Sequence, residues 1–174
     1  MNGLFRNDIR KEKEMANRNN KIVIEGAEIF FKNFSGKKDN FNPEGKRSFC
    51  VYVDDIADKL KADGWNVKMT KPRDEDSEPR PFLRVNVKFG DYPPNIFMVT
   101  EHNKTQLDEI SVNNLDNAYI LNADVIISPY HWEMNGKSGV TAYLDTLYAT
   151  IEEDPFAGKY ADIGKRMSDY DLPF

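Results

Sequence analysis

The chain has a single cysteine, Cys50, and only two histidines, His102 and His131, among 174 residues. One thiol cannot build a disulfide framework, so the expected setting is a reducing cytoplasm, with Cys50 in the core of an apolar run. The histidines lie far apart and neither has a metal-spaced Cys or Asp set around it, so no metal site is expected. Apolar runs long enough to cross a bilayer are missing, and no N-terminal stretch reads as a secretory signal. Nothing in the sequence calls for a cofactor.

Catalytic motifs are equally scarce. Gly136-Lys137-Ser138 looks like the end of a phosphate-binding loop, but such a loop needs glycine where His131 stands and a helix after the serine, where the pattern reads as a strand. No Ser-His-acid or Cys-His arrangement has a local motif behind it. The densest acids, Asp74, Glu75, Asp76 and Glu78, share a stretch with Pro and Ser and read as a solvated loop. No enzyme is expected; a carboxylate-metal nuclease is the minor alternative.

What is present is a globular composition, 40% hydrophobic and 12% aromatic, enough for one domain of ordinary size. The expected division is a flexible extension at 1–20, a folded domain at 21–151 and a disordered acidic tail at 152–174. That tail holds six acids against three bases, a net −3. Of the remaining −2, the four acids at 74–78 account for more than the whole, so the rest of the body is net +2 and a basic groove is allowed.

Residues 21–34 read as a long strand broken at Gly26-Ala27 by a bulge. Two-residue alternation marks strands at 47–53 and 82–89. A short helix capped by Asp54 or Asp55 is expected before Gly64, then brief strands at 65–69 and 96–99 and a short helix at 107–115. Asn135-Gly136 joins strands at 124–133 and 140–151 as a hairpin, because both residues tolerate the positive φ of a type I′ turn. At least five strands, with short helices inserted and no βαβ repeat, predict a mainly β, small closed antiparallel barrel.

Aromatics interleave with bases in three places. Phe34, Lys37, Lys38, Phe41, Lys46 and Arg47 surround the first loop, Trp65, Lys68, Lys71 and Arg73 the next strand, and Trp132, Lys137 and Tyr143 the hairpin. Single-stranded nucleic acid needs this mixture, since bases stack on rings and phosphates need cations. Phe41 and Trp65 are the expected stackers, while Phe30, Phe31, Tyr52, Phe89 and Phe97 are assigned to the core or left undecided. A protein-interaction adaptor on the same barrel is the main alternative.

The chain ends in Asp169, Tyr170, Asp171, Leu172, Pro173 and Phe174. Acids followed by an aliphatic, Pro and Phe resemble the C-terminal interaction tip of bacterial single-stranded DNA-binding proteins. In the body, Phe34-Ser35-Gly36-Lys37, then Asp63-Gly64-Trp65-Asn66-Val67-Lys68 with Lys71-Pro72-Arg73, and Asn135-Gly136-Lys137-Ser138-Gly139 resemble bacteriophage single-stranded DNA-binding proteins over roughly residues 20–154. The resemblance implies a five-stranded oligonucleotide-binding (OB) barrel that coats single-stranded DNA during phage replication, recombination or repair. It also implies that Asp169, Asp171, Leu172, Pro173 and Phe174 bind partner proteins of those processes, with a homodimer left open. The body lacks the pattern of the cellular bacterial family, and the tail lacks that family's long Gly-, Pro- and Gln-rich linker.

Overall fold

Nine strands form in the computed structural model, which describes residues 20–152. They are β1 (Ile22–Ile24), β2 (Ile29–Asn33), β3 (Arg47–Tyr52), β4 (Lys68–Met69), β5 (Pro81–Val87), β6 (Asn95–Val99), β7 (Lys104–Leu107), β8 (Ile120–Met134) and β9 (Lys137–Ile151). Helix α1 (Ala57–Ala62) follows β3, and a 3-10 helix (Ser111–Asp116) precedes β8. Apart from Asn20 and Glu152, the expected extension and acidic tail lie outside the described residues, as do Asp169, Asp171, Leu172, Pro173 and Phe174.

The main path through the sheet runs β1-β8-β9-β5-β3-β2. Its two ends are successive in the chain, separated only by 25–28. Within that break the Ala27 amide donates to Ala123 O at 2.7 Å, and the Tyr52 amide donates to Glu28 O at 3.1 Å. β1 and β2 are therefore halves of one bent strand, hydrogen-bonded to β8 on one side and β3 on the other, which closes the sheet into an OB-type barrel. The break at Gly26-Ala27 stands where the sequence placed it.

The expected antiparallel order needs one correction. β5 and β9 are parallel, with Val85 opposite Ala142 and Asn86 opposite Tyr143, and β6 continues the same parallel edge. The reason is arithmetic: the ring has five members once β1 and β2 count as one, and alternation around an odd ring must fail at one pair. Strand β7 is a second departure, lying just ahead of the expected 107–115 helix. Its Lys-Thr-Gln-Leu sequence has no apolar alternation, and pairing with β6 holds it. The third concerns α1, whose N-cap is Ile56 without a side-chain cap, because Asp54 accepts from Arg80 instead.

Inward residues of the alternating strands, among them Phe49, Val51, Leu83, Val85, Ile96, Val125, Ile127 and Leu147, fill the barrel with no more than 1% exposure each. Ala57 and Leu60 of α1, with Val112 and Leu115 of the 3-10 helix, are buried in the same cluster. The hairpin turn has φ of 52° at Asn135 and 76° at Gly136, as a type I′ turn requires.

Candidate nucleic-acid interface

The outer side of β3 and β5 is the opposite of the core in character. Cross-strand pairing sets Ser48 beside Asn86, Cys50 beside Arg84 and Tyr52 beside Phe82, with Lys68 of β4 opposite Phe82. Here a groove of about 230 Å³ opens, with Lys46, Lys68 and Arg84 supplying cations, Asn66, Asn86 and Thr141 supplying polar edges, and no carboxylate in its lining. Lys68 and Arg84 make no ion pair among the described residues, and Lys46 pairs with exposed Glu44 at 2.9 Å, a contact of small worth in water. Beneath them Cys50 is buried, and burial pushes its thiol up while Arg84 and Lys68 pull the other way.

Next to the groove lies a run of rings. Phe30 stacks on Tyr52 at 4.3 Å and meets Phe82 edge-on at 5.4 Å. The Arg80 guanidinium covers Tyr52 at 3.7 Å and is fixed by Asp54 and Glu28, whose hydrogen bonds push its pKa further up and hold the Asp54 carboxyl low.

The first loop is held in one shape. Asn42 donates to Lys37 O and Lys46 O and accepts from the Lys46 amide, while Asn33 accepts from the Lys37 amide. Gly36, at φ 69°, lies so close to Gly45 O that a Cβ would approach it to 2.6 Å. The loop thus presents Lys37, Lys38 and Phe41 to solvent, with Phe41 94% exposed.

Two expected contact rings are core residues. Phe34 is fully buried and stacks on Phe49 at 5.4 Å, and Trp65 is only 7% exposed, with a backbone bridge to Val140 near the turn of the hairpin. Neither ring has a free face for a base. Arg47 is likewise structural: its Nη1 donates to Phe34 O, Glu109 O and Asn113 Oδ1, and its guanidinium lies over Phe89. Lys71 and Arg73 fall in the exposed loop after β4 beside Asp74, Glu75, Asp76 and Glu78, outside the groove.

The hairpin carries Lys137 near its tip, Trp132 laid over Gly139, and Tyr143 edge-on to Tyr130 at 6.0 Å. Arg84, Asn66 and Asn86 line the groove and the Phe30-Tyr52-Phe82 rings adjoin it, and none of them is among the contact residues expected from the sequence. The alternation Phe82, Arg84, Asn86, Lys88 already set Arg84 on an outward row, which was the available signal.

The model of the phage ssDNA-binding domain family matches residues 11–172. The chain belongs to that family. No curated protein matches it. Among solved structures it resembles the single-stranded DNA-binding protein of bacteriophage Enc34 in complex with ssDNA, at TM-score 0.52 and 12% identity over 80% of this chain and 90% of that one. A C-terminal truncation of the Enc34 protein gives TM-score 0.51 and 13% identity over the same shares. At such identity what is shared is the fold, the OB barrel of phage single-stranded DNA-binding proteins. Among the described residues no three of His, Cys, Asp or Glu gather as metal ligands, and no helix is long and apolar enough to cross a membrane.

Proposed function

We propose that this phage ssDNA-binding domain takes the strand across the outer side of β3 and β5, without strong sequence preference. The observation that carries the reading is the carboxylate-free groove of Lys46, Lys68 and Arg84 beside the Phe30-Tyr52-Phe82 rings. Cations along a carboxylate-free groove attract the phosphates of any strand, whatever its sequence. Rings with a free face accept any base, because every base has a π-face, and stacking contributes about 1–3 kcal/mol per base; Tyr52, enclosed between Phe30 and the Arg80 guanidinium, supports its neighbours and does not itself stack on the strand. Lys37, Lys38 and Phe41 from the first loop and Trp132, Lys137 and Tyr143 from the hairpin flank the path. The protein works by binding and not by turnover.

Coating single strands in the host cytoplasm serves phage replication, recombination or repair. The acidic tail adds recruitment: Phe174 and Leu172 fit an apolar pocket on a partner, Asp169 and Asp171 face its bases, and Pro173 limits the entropy lost on ordering. Homodimerisation is the remaining element of the reading and is read by sedimentation with and without oligonucleotide.

The test is fluorescence anisotropy of labelled oligo(dT), matched duplex and RNA against the full chain, the Lys68→Ala/Arg84→Ala double variant, and a version lacking Asp169–Phe174. The expected result is tight binding of single-stranded DNA, weakened in the double variant and kept without the tip. Equal binding by the double variant would remove the groove from the path, and no binding by any form would favour the adaptor reading.

A further inference from the structure

Phe31 is the residue whose conformation and exposure the fold does not explain. It lies where β2 slips register: Phe30 pairs with Cys50 and Asn33 with Ser48, so Phe31 and Lys32 together oppose Phe49. Its φ is 49°, in the left-handed region that a bulky residue rarely occupies. Asn135 is the other described non-glycine at positive φ, and Asn is at home in a type I′ turn. The Phe31 ring is 76% exposed, so core burial does not offset the strain.

The bulge has a structural use, but that use belongs to Lys32, whose Nζ donates to Leu115 O and Ala118 O and ties the 3-10 helix to the barrel. Gly or Asn at position 31 would form the same bulge at less conformational cost. The choice of phenylalanine is explained by what the ring adjoins. Phe31 stands edge-on to Phe30 at 4.9 Å, and Phe30 contacts both Tyr52 and Phe82. Phe82 in turn pairs with Lys68 in the cationic groove. A strained, solvent-facing ring thus ends a continuous aromatic run that starts at the groove. Strain of this kind persists where the surrounding structure imposes it, and it clusters at ligand contacts.

We propose that Phe31 is a base-stacking residue, presented by the β2 bulge to an unstacked nucleobase of a strand whose phosphates lie along Lys68 and Arg84. The inference rests on the single-strand reading of the groove and adds to it a contact on β2, the far side of β3 from β5. The ligand chemistry is specific: a flat base for the ring, linked to an anion for the cations.

The experiment compares full-length wild type, Phe31→Gly, Phe31→Asn and Phe31→Trp by thermal melting and by oligo(dT) anisotropy. Gly and Asn both suit φ 49°, so these variants should melt at or above the wild-type temperature while binding about 5- to 150-fold more weakly, the loss of one stacked base. Phe31→Trp should bind within about twofold of wild type, since indole stacks as well. The opposed signs, equal or better stability with poorer binding, are what a merely structural phenylalanine would not give. If wild type binds and the Gly and Asn variants match it, the inference fails while the groove stands. Destabilisation of both variants overturns it too, because the ring would then be holding the fold. Absence of binding by wild type removes the proposed function and this contact together.

Discussion

Arg84 and Arg47 carry the same charge on adjacent strands, yet their guanidinium groups have opposite situations. Arg84 is exposed at the groove, with one long 3.4 Å contact from Nε to Ser48 Oγ. Arg47 is committed to Phe34 O at 2.8 Å and Glu109 O at 2.9 Å. Arg84→Ala should therefore weaken oligo(dT) binding, lower the salt slope by about 0.7, and leave the melting temperature unchanged. Arg47→Ala should instead cost about 1–3 kcal/mol of stability by leaving carbonyls unpaired, read by urea unfolding, with binding by the folded fraction retained. Trp65→Ala, a core truncation, should cost about 3–5 kcal/mol in the same assay. Sequence context misplaced Phe34, Trp65 and Arg47 for one reason. Polar and glycine neighbours suggest exposure, whereas burial of these side chains is decided by segments distant in the chain: the 3-10 helix for Phe34 and Arg47, and the turn end of the hairpin for Trp65.

Among the elements, the first loop has most of its order from one side chain. Asn42→Ala removes three hydrogen bonds that join Asn42 to Lys37 and Lys46. The expected outcome is faster amide exchange confined to the loop and weaker oligo(dT) binding, with little change in global stability, because the loop contributes pre-organisation and not core. At the hairpin, Asp145 accepts from Lys21 at 2.7 Å and from Ser128 and Thr146, tying the start of β1 to β9. Burial pushes its carboxyl up, but these hydrogen bonds and the Lys21 charge outweigh it and hold the pKa below the usual value. A depressed folded pKa gives stability that is present above the unfolded value of about 3.9 and is lost as pH falls through the folded one. Melting of Asp145→Asn should accordingly fall less steeply than wild type below about pH 4. The strands themselves were legible wherever alternation or Asn135-Gly136 marked them. Strand β7 was not, because pairing with β6 and not its own pattern makes it a strand.

Taken whole, the protein is acidic, at −5, while its proposed binding face is cationic. Affinity for single-stranded DNA should fall linearly with the logarithm of salt, with a slope near −0.7 for each phosphate contacted, and a flat titration would contradict the electrostatic part of the mechanism. The barrel is legible as a count of strands, and its parallel closing pair follows from that same count of five, although alternation read strand by strand gives no sign of which pair it is. That closure has a temporal consequence. Ile22 finds its partner in Ile127, and Tyr52 binds the other half of the same bent strand. At ribosomal rates of about 5–20 residues per second, roughly 5–20 s separate the making of those two isoleucines. Through that interval the opening segment has one flank unpaired, and the nascent chain can assemble only an incomplete ring. The strand that opens the described barrel is among the last of its members to be enclosed, so the ring cannot close before β8 has been made.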